Sequence, residues 1–500
     1  MRKSRRAGLL ASVCSAGALA AFLVASAPAS AETLADAIAL AYQTNPTLQA
    51  QRAQLRATDE NYVQARAGLR PTAKVTADYN YQNSESLVQN DPVTGKQVVG
   101  PEARSTDATL SITQTLYSGG ALGAGIRAAE ADVLSGREQL RQVESTVLQN
   151  VVSAYVSVRR DQQALGISQE NVNVLKRQLE ESKARFEVGE ITRTDVAQSE
   201  ARLAAAQASL SSAQAQLAIS RSTYAAVVGQ NPGDLAAEPD LGHVLPATVE
   251  QAFETAEKRN PSILSADYAE QAAAARVAAA KAQTRPTVSV RGGFGYAGAD
   301  SFGRSEWADQ RNITGVVTAS VPLFTGGLYS SQIRQAAERD NAARIGLEGA
   351  KRQTVQQVSQ AWNQLLAARA NLISNEQQVK ATEIAYEGTR QENQVGLRTT
   401  LDVLNAEQEL RNAQLALVNA RHDAYVAAAA VLSAMGSLEA RYLAADAPLY
   451  DPAKSFNKVR RSGAVPWEGA VQALDSVGAP AIRARPTGVD QPIPTAKAPQ

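Results

Sequence analysis

Apolar and polar residues along this chain follow two periods that take turns. From 72 to 81 they alternate: Ala73, Val75, Ala77, Tyr79 and Tyr81 against Thr72, Lys74, Thr76, Asp78 and Asn80. A second run sets Ala108, Leu110, Ile112 and Leu116 against Asp107, Thr109, Ser111, Thr113 and Thr115. Two more follow, with Val288, Val290, Phe294 and Tyr296 on one face, then Ile313, Val317, Ala319, Val321 and Leu323. Period two predicts strands of about ten residues with one apolar and one polar face.

The rest of the chain follows period seven. Val196, Leu203, Leu210, Leu217 and Tyr224 are seven apart, with Ser199, Ala206, Ala213, Ser220 and Val227 between them. Val403, Leu410, Leu417, Ala424 and Val431 do the same, with Ala406, Ala413 and Ala420 between. A large residue alternating with a small one makes a coiled-coil seam along which helices approach closely. The preceding segments share the seam, at Leu165, Val172, Leu179 and Phe186, and at Leu372, Val379 and Tyr386. No proline interrupts 102–231 or 323–447, so the predicted helices are long. One running from about 120 to 188 would extend roughly 100 Å at ~1.5 Å per residue.

Both patterns occur twice. Asn45-Pro46 and Arg70-Pro71 recur as Asn260-Pro261 and Arg285-Pro286, an offset of 215. Leu116-Tyr117-Ser118-Gly119-Gly120 recurs as Leu323-Phe324-Thr325-Gly326-Gly327, an offset of 207 that then holds through Gly189/Gly396, Asp195/Asp402 and Gly229/Gly436. The chain is a tandem duplication, and the eight residues' difference falls in QNDPVTGKQVVGP, which reads as a loop. The expected organisation is a leader over 1–31, a first repeat over 32–235, a connector over 236–246, a second repeat over 247–440 and a tail over 441–500. Eight prolines from Pro448 onward predict a mostly disordered tail with no core of its own.

Composition narrows the classes. The first 31 residues carry four basic residues, an apolar stretch and Ala29-Ser30-Ala31, which reads as an export signal cleaved before Glu32. Cys14, the only cysteine, lies inside it; lipidation there is disfavoured by the bulky Val13. The processed chain then has no thiolate chemistry, cysteine metal site or disulfide. Net charge goes from +1 to −3, which gives no support to nucleic-acid binding. No run after residue 31 approaches 18 apolar residues, so a membrane role would have to come from the strands.

Amphipathic strands suit a membrane barrel wall with lipid outside and water inside, although a soluble half-buried hairpin alternates in the same way. Export, and the aromatic residues Tyr117 and Phe324 at girdle positions, favour the membrane. Four strands cannot close around a pore and open edges are not tolerated in lipid, so several copies must share one barrel.

Motifs for chemistry are weak. GFGYAG at 293–298 matches a dinucleotide pattern but precedes a turn-rich loop instead of a helix. His243 and His422 have no partner at metal-ligand spacing. An enzyme is not expected, nor is a cofactor or a metal. One pair of segments remains: EVGEITRTDVAQSE at 187–200 and QVGLRTTLDVLNAEQEL at 394–410, each with a glycine six residues before an aspartate. A catalytic dyad, a turn or a pore ring could each use that spacing.

The order of these features, from TLADAIALAYQTNPTLQAQRAQLRA through QTLYSGG, a long helix, a VG turn and TDV, all duplicated, resembles the TolC family of outer-membrane efflux proteins over residues 33 to about 440. The resemblance implies a mixed α/β membrane protein: a homotrimeric duct whose chains each give four strands to a twelve-stranded outer-membrane β-barrel, continuing into a long periplasmic α-helical coiled-coil barrel. It implies a periplasmic adaptor and an inner-membrane ABC transporter (or RND pump) as partners, outer-membrane lipid around the barrel, and exported protein or small molecules as cargo. By the same resemblance, Val188-Gly189 and Val395-Gly396 are hairpin tips where the adaptor docks. Arg398 is a gate latch to Thr194 and Asp195, and Asp402 forms a ring at the narrowest point. Asn393 stands where the family often has Tyr, and Asn405 replaces a second aspartate, which would make the inner ring an amide one. Three converging Asp402 carboxylates would raise one another's pKa and attract cations. Type I secretion is favoured over drug efflux because many drug-efflux relatives carry a lipidated cysteine. A periplasmic coiled-coil scaffold would explain the heptads but not the strands.

Overall fold

The computed structural model describes residues 31–82, 88–90, 93, 97–99, 103–299, 311–444 and 448–481. The expected leader falls outside these residues up to residue 30. The first repeat runs α1 (Leu34–Thr44), α2 (Pro46–Ala67), β1 (Thr72–Gln82), β2 (Val88–Asn90), β3 (Gln97–Val99), β4 (Ala103–Tyr117), α3 (Ala121–Glu187) and α4 (Arg193–Val228). The second runs α5 (Val249–Arg259), α6 (Pro261–Ala282), β5 (Thr287–Ala299), β6 (Arg311–Ser320), α7 (Leu328–Gln394) and α8 (Thr400–Ala434). After it come α9 (Ala440–Leu443), α10 (Pro452–Val459) and α11 (Glu468–Asp475). Helices α3 and α7 are 67 residues each, as the proline-free spans predict.

The repeated Asn-Pro step has a local cause. Asn45 ends α1 and caps α2, accepting at Oδ1 from Thr47 N at 3.0 Å, while Pro46 opens the helix where its missing N–H costs nothing. Its Nδ2 donates to Val227 O at 3.0 Å, pinning the bend to the end of α4. In the second repeat Asn260 accepts from Ser262 N at 2.9 Å and donates to Ala434 O at 2.8 Å, at the end of α8.

Strands β1, β4, β5 and β6 form one antiparallel sheet in the order β1-β4-β5-β6, leaving β1 and β6 as edges. Its register aligns the period-two pattern across all four strands. Val75, Leu110, Phe294 and Ile313 stand in one cross-strand row, and Ala77, Ala108 and Tyr296 in another, which ends at Arg311 on the edge strand. The opposite face carries Lys74, Ser111, Gly293 and Thr314, then Thr76, Thr109, Gly295 and Asn312. The apolar rows are exposed, with Val75 at 71%, Ile313 at 68% and Val317 at 70%, and both faces of the edge strands β1 and β6 are open. A contiguous exposed apolar sheet face is what a lipid-facing wall presents. A bulge at the foot of β4 puts Tyr117, instead of Leu116, opposite Val288 and so on the apolar face.

The main core is a belt in which both repeats meet, with Tyr155, Leu148, Tyr224, Leu365 and Leu432 fully buried. The Tyr155 hydroxyl donates toward Glu32 O at 2.9 Å or Ala236 O at 2.8 Å, so the connector and the start of the described chain close on the same point.

Two expectations are corrected. The eight-residue-longer segment is not wholly loop, because β2 and β3 pair as a small hairpin within it. The tail is not mostly disordered: its residues 452–475 carry α10 and α11, which dock on the first repeat, while 482–500 lie outside the described residues. Phe456 of α10 packs on Tyr62 and beneath Arg137, and Glu468 of α11 pairs with Arg66 at 2.7 Å and Arg70 at 3.2 Å. Proline content gave no sign of this, because the docking core belongs to α2 and α3 rather than to the tail.

Candidate functional site at the helix-hairpin tips

Each long helix pair folds back through a five-residue turn. At the first tip Gly189 has φ 80°, Gly189 N donates to Phe186 O at 3.0 Å and Glu190 N to Arg185 O at 2.9 Å. At the second, Gly396 has φ 80°, Gly396 N donates to Asn393 O at 3.0 Å and Leu397 N to Glu392 O at 2.9 Å. This pair of bonds closes a helix C-terminus only with a left-handed residue after the cap, which explains both glycines. Val188 and Val395 lie beside them, 73% and 71% exposed.

The two aspartates begin the next helices. Asp195 Oδ2 accepts from Thr192 N at 2.9 Å and from the Thr192 hydroxyl at 2.8 Å, and Thr192 Oγ1 accepts from Asp195 N at 3.4 Å. Asp402 repeats this with Thr399 at 3.0, 2.8 and 3.2 Å. Each is a capping box, in which threonine and a carboxylate three residues on satisfy one another's backbone donors. The Thr399 hydroxyl and N–H hold the Asp402 carboxyl below its usual range. The T-x-x-D spacing in both segments is the sequence signal of these caps.

The predicted latch does not form within one chain. Arg398 pairs with Glu392 of its own tip at 2.8 Å, which raises its pKa, and Thr194 is exposed. Asn393 is 7% exposed and braces the second tip, its Nδ2 donating to Arg398 O at 2.8 Å. Its Oδ1 accepts from Arg185 Nη1 at 3.4 Å, and Arg185 also holds Glu190 at 3.1 Å, so one arginine links both tips.

About one turn above Asp402 the two hairpins interlock. Leu404, 2% exposed, inserts between Val172 and Leu175 of α3 and Ala206 of α4. Beside it Asn405 accepts from Arg202 Nη2 of α4 at 2.9 Å, so the side chain expected in an amide ring is instead engaged within its own chain. Glu407, on the next turn, is pushed up to about 7 by burial, against the pull of Arg411 and Arg202. Leu404, Arg202 and Glu407 were not singled out from sequence; Leu404 falls beside the seam position Val403 and is invisible to a strict heptad count.

Of the two residues expected at a girdle, Tyr117 lies at the foot of the apolar face and Phe324 follows β6 with 90% of its surface exposed. His422 is a packed histidine whose Nε2 lies 3.1 Å from the Ser157 hydroxyl.

Comparison with known proteins adds to this geometry. A family model described as outer membrane efflux protein matches residues 37–230 and 252–437, one match for each repeat. Outer membrane efflux protein BepC of Brucella suis is 34% identical over 429 residues, spanning 86% of this chain and 91% of that protein. Alkaline protease secretion protein AprF of Pseudomonas aeruginosa is 28% identical, spanning 78% of this chain and 81% of that protein. The crystal structure of outer membrane protein VceC of Vibrio cholerae superposes with a TM-score of 0.68 at 25% identity, over 81% of this chain and 96% of that one.

Proposed function

From the premise that this chain belongs to the outer membrane efflux protein family, we propose that it is the exit duct of a tripartite export system, serving type I protein secretion. Three copies would join β6 of one to β1 of the next, closing twelve strands with the apolar rows outward and the Lys74 and Thr76 rows lining a water-filled lumen. The observation that carries this is the sheet: four strands in register, one mainly apolar face interrupted by Gln114 and Arg311, and two unpaired edges. An unpaired edge in lipid costs several kcal/mol per exposed backbone group, so association is required for insertion.

The long helices would extend this lumen through the periplasm, and cargo would pass without covalent chemistry. The exposed tips at Val188-Gly189 and Val395-Gly396 would receive a periplasmic adaptor bound to an inner-membrane ABC transporter. Asp402 would ring the narrowest point, with Arg398, Thr194 and Asp195 able to pair between neighbouring copies, since none of these pairs forms inside one chain. Tyr117 and Phe324 would mark the periplasmic membrane interface.

The likeness to AprF supports secretion, while the names of the family and of BepC favour a second reading, small-molecule efflux through an RND pump. Deleting the gene separates them. Loss of a large polypeptide from the medium with unchanged drug susceptibility supports secretion; the reverse supports efflux. Recovery of the protein outside the outer-membrane fraction would defeat both.

A further inference from the structure

Helix α11 has two faces. Glu468, Val471 and Asp475 turn inward and are 4%, 6% and 1% exposed. Trp467, Leu474 and Val477 turn outward at 51%, 47% and 63%, with exposed Ala470 between them. Ala470 and Leu474 share the outward face of the helix, and Trp467 at its N-cap and Val477 just past its C-cap extend the apolar surface at either end. The inward face fixes the helix in place. Asp475 Oδ1 accepts from Ser118 N and Oγ, both at 2.7 Å, and from Gly120 N at 3.3 Å; its Oδ2 accepts from Gly123 N at 3.2 Å. It thereby caps α3, whose own N-cap is Gly120 with no side chain to do so.

We propose that this outward stripe is a docking surface for phospholipid, seated in the periplasmic leaflet of the outer membrane at the foot of the barrel. The proposal rests on the reading of the β1-β4-β5-β6 sheet as a membrane wall. Three observations select lipid as the occupant. First, the Tyr117 hydroxyl donates to Val477 O at 3.2 Å, and Tyr117 stands on the apolar face of the sheet, opposite Val288. The residue just past α11 therefore meets the foot of the apolar face. Second, α11 abuts β4 and α3, and β4 is paired on both sides, whereas a second copy would join at the edges β1 and β6. Third, the stripe pairs tryptophan with aliphatic residues, and the preceding loop carries exposed Arg461 next to Ser462, whose carbonyl is held by Arg70 just before β1. An apolar stripe with an interfacial tryptophan and a nearby cation is the chemistry of a helix lying in a headgroup region.

The function that follows is anchorage. The barrel alone fixes the duct through its wall, while α11 would add a foot on each copy and tie the leaflet to the α3 N-terminus through Asp475. Tilt of the helical tunnel against the membrane would then be resisted where strand passes into helix.

The test uses the full chain, whose one native cysteine is Cys14. Single cysteines replace Leu474, Trp467, Leu110 and Val188 in turn, each carrying a nitroxide, and the protein is reconstituted into phosphatidylethanolamine and phosphatidylglycerol liposomes. Collision rates with oxygen, which enters lipid, and with a water-soluble nickel chelate are compared. Leu110 reports the wall and Val188 the wet tip. The expected result is that labels at 474 and 467 are protected from nickel severalfold relative to 188 and relaxed by oxygen, as at 110. Nickel access equal to that at 188 overturns the proposal, and so does shielding from both probes, which would mean that protein covers the stripe. If the label at 110 also meets nickel freely, the membrane-wall reading itself falls.

Discussion

Asp402 and Thr399 satisfy each other: the carboxylate accepts the threonine N–H at 3.0 Å and its hydroxyl at 2.8 Å, and the hydroxyl accepts the aspartate N–H at 3.2 Å. The same bonds join Asp195 to Thr192, so the glycine-to-aspartate spacing found twice in the sequence is first a way of ending one helix and starting the next. The charge at the proposed constriction is thus held by the fold. Crowding of three carboxylates in such a ring would raise their pKa, whereas the cap acts in the opposite direction. Its capping contribution is present above the ordinary aspartate value of 3.8 and is lost as pH falls through the lowered one.

Removing only the cap separates that role from the charge. Thr399→Ala is expected to cost about 1 kcal/mol at the start of α8 and to speed amide exchange there, while cation preference in a bilayer is retained. Unchanged exchange over residues 400–403 would show that the capping box does not hold this turn.

Leu404 joins the two hairpins, and its truncation leaves a cavity between α3, α4 and α8. Leu404→Ala should destabilise that junction by about 2–5 kcal/mol. On the proposed gating, in which α7–α8 shifts against α3–α4 to widen the tip, single-channel conductance should rise. Conductance equal to that of the unsubstituted chain would place the hinge elsewhere.

Asn405 and Arg202 make the polar part of the same junction. Asn405→Asp adds a charge opposite Arg202 and should narrow the distribution of conductance levels, and Asn405→Ala should broaden it. In a double-mutant cycle with Arg202→Ala the two effects should be non-additive; strict additivity would mean that the residues do not interact in the assembled protein.

Glu407 gives the junction a pH dependence. Its folded pKa is raised from 4.5 to about 7, so the stabilising contribution is complete below 4.5 and is lost as pH rises through about 7. The groups that bear on it are Arg411 on α8, Arg202 on α4 and Tyr386 on α7. Open probability should therefore increase as pH rises from about 4.5 to about 7 and level off above, and Glu407→Gln should flatten the curve at its low-pH level. A curve that keeps its slope in Glu407→Gln assigns the titration to another group.

The periodicities made most of the fold legible. Strict alternation located four of the strands and their apolar face, and proline-free heptad spans gave helices that end at the predicted glycine turns. The tail was misread because composition reports whether a segment can build a core, while α10 and α11 borrow one from α2 and α3. Within the site, the glycines and aspartates were visible because they repeat at a fixed offset. Leu404, Arg202 and Glu407 were not, because an interlock between hairpins has no short-range spacing in sequence. Asn393 and Asn405 were noticed only as departures from a family pattern, and the structure gives each a definite contact.

Single-channel recording of the purified protein in planar bilayers tests the central claim most directly, with the unsubstituted chain, Leu404→Ala and Asp402→Asn compared. Asp402→Asn removes the charge and leaves an oxygen for the Thr399 cap. A trimer that gives discrete cation-preferring steps, enlarged by Leu404→Ala and made less selective by Asp402→Asn, is the predicted result. Inserted trimers that give no steps, or steps indifferent to both substitutions, would contradict a duct gated at its helical tips.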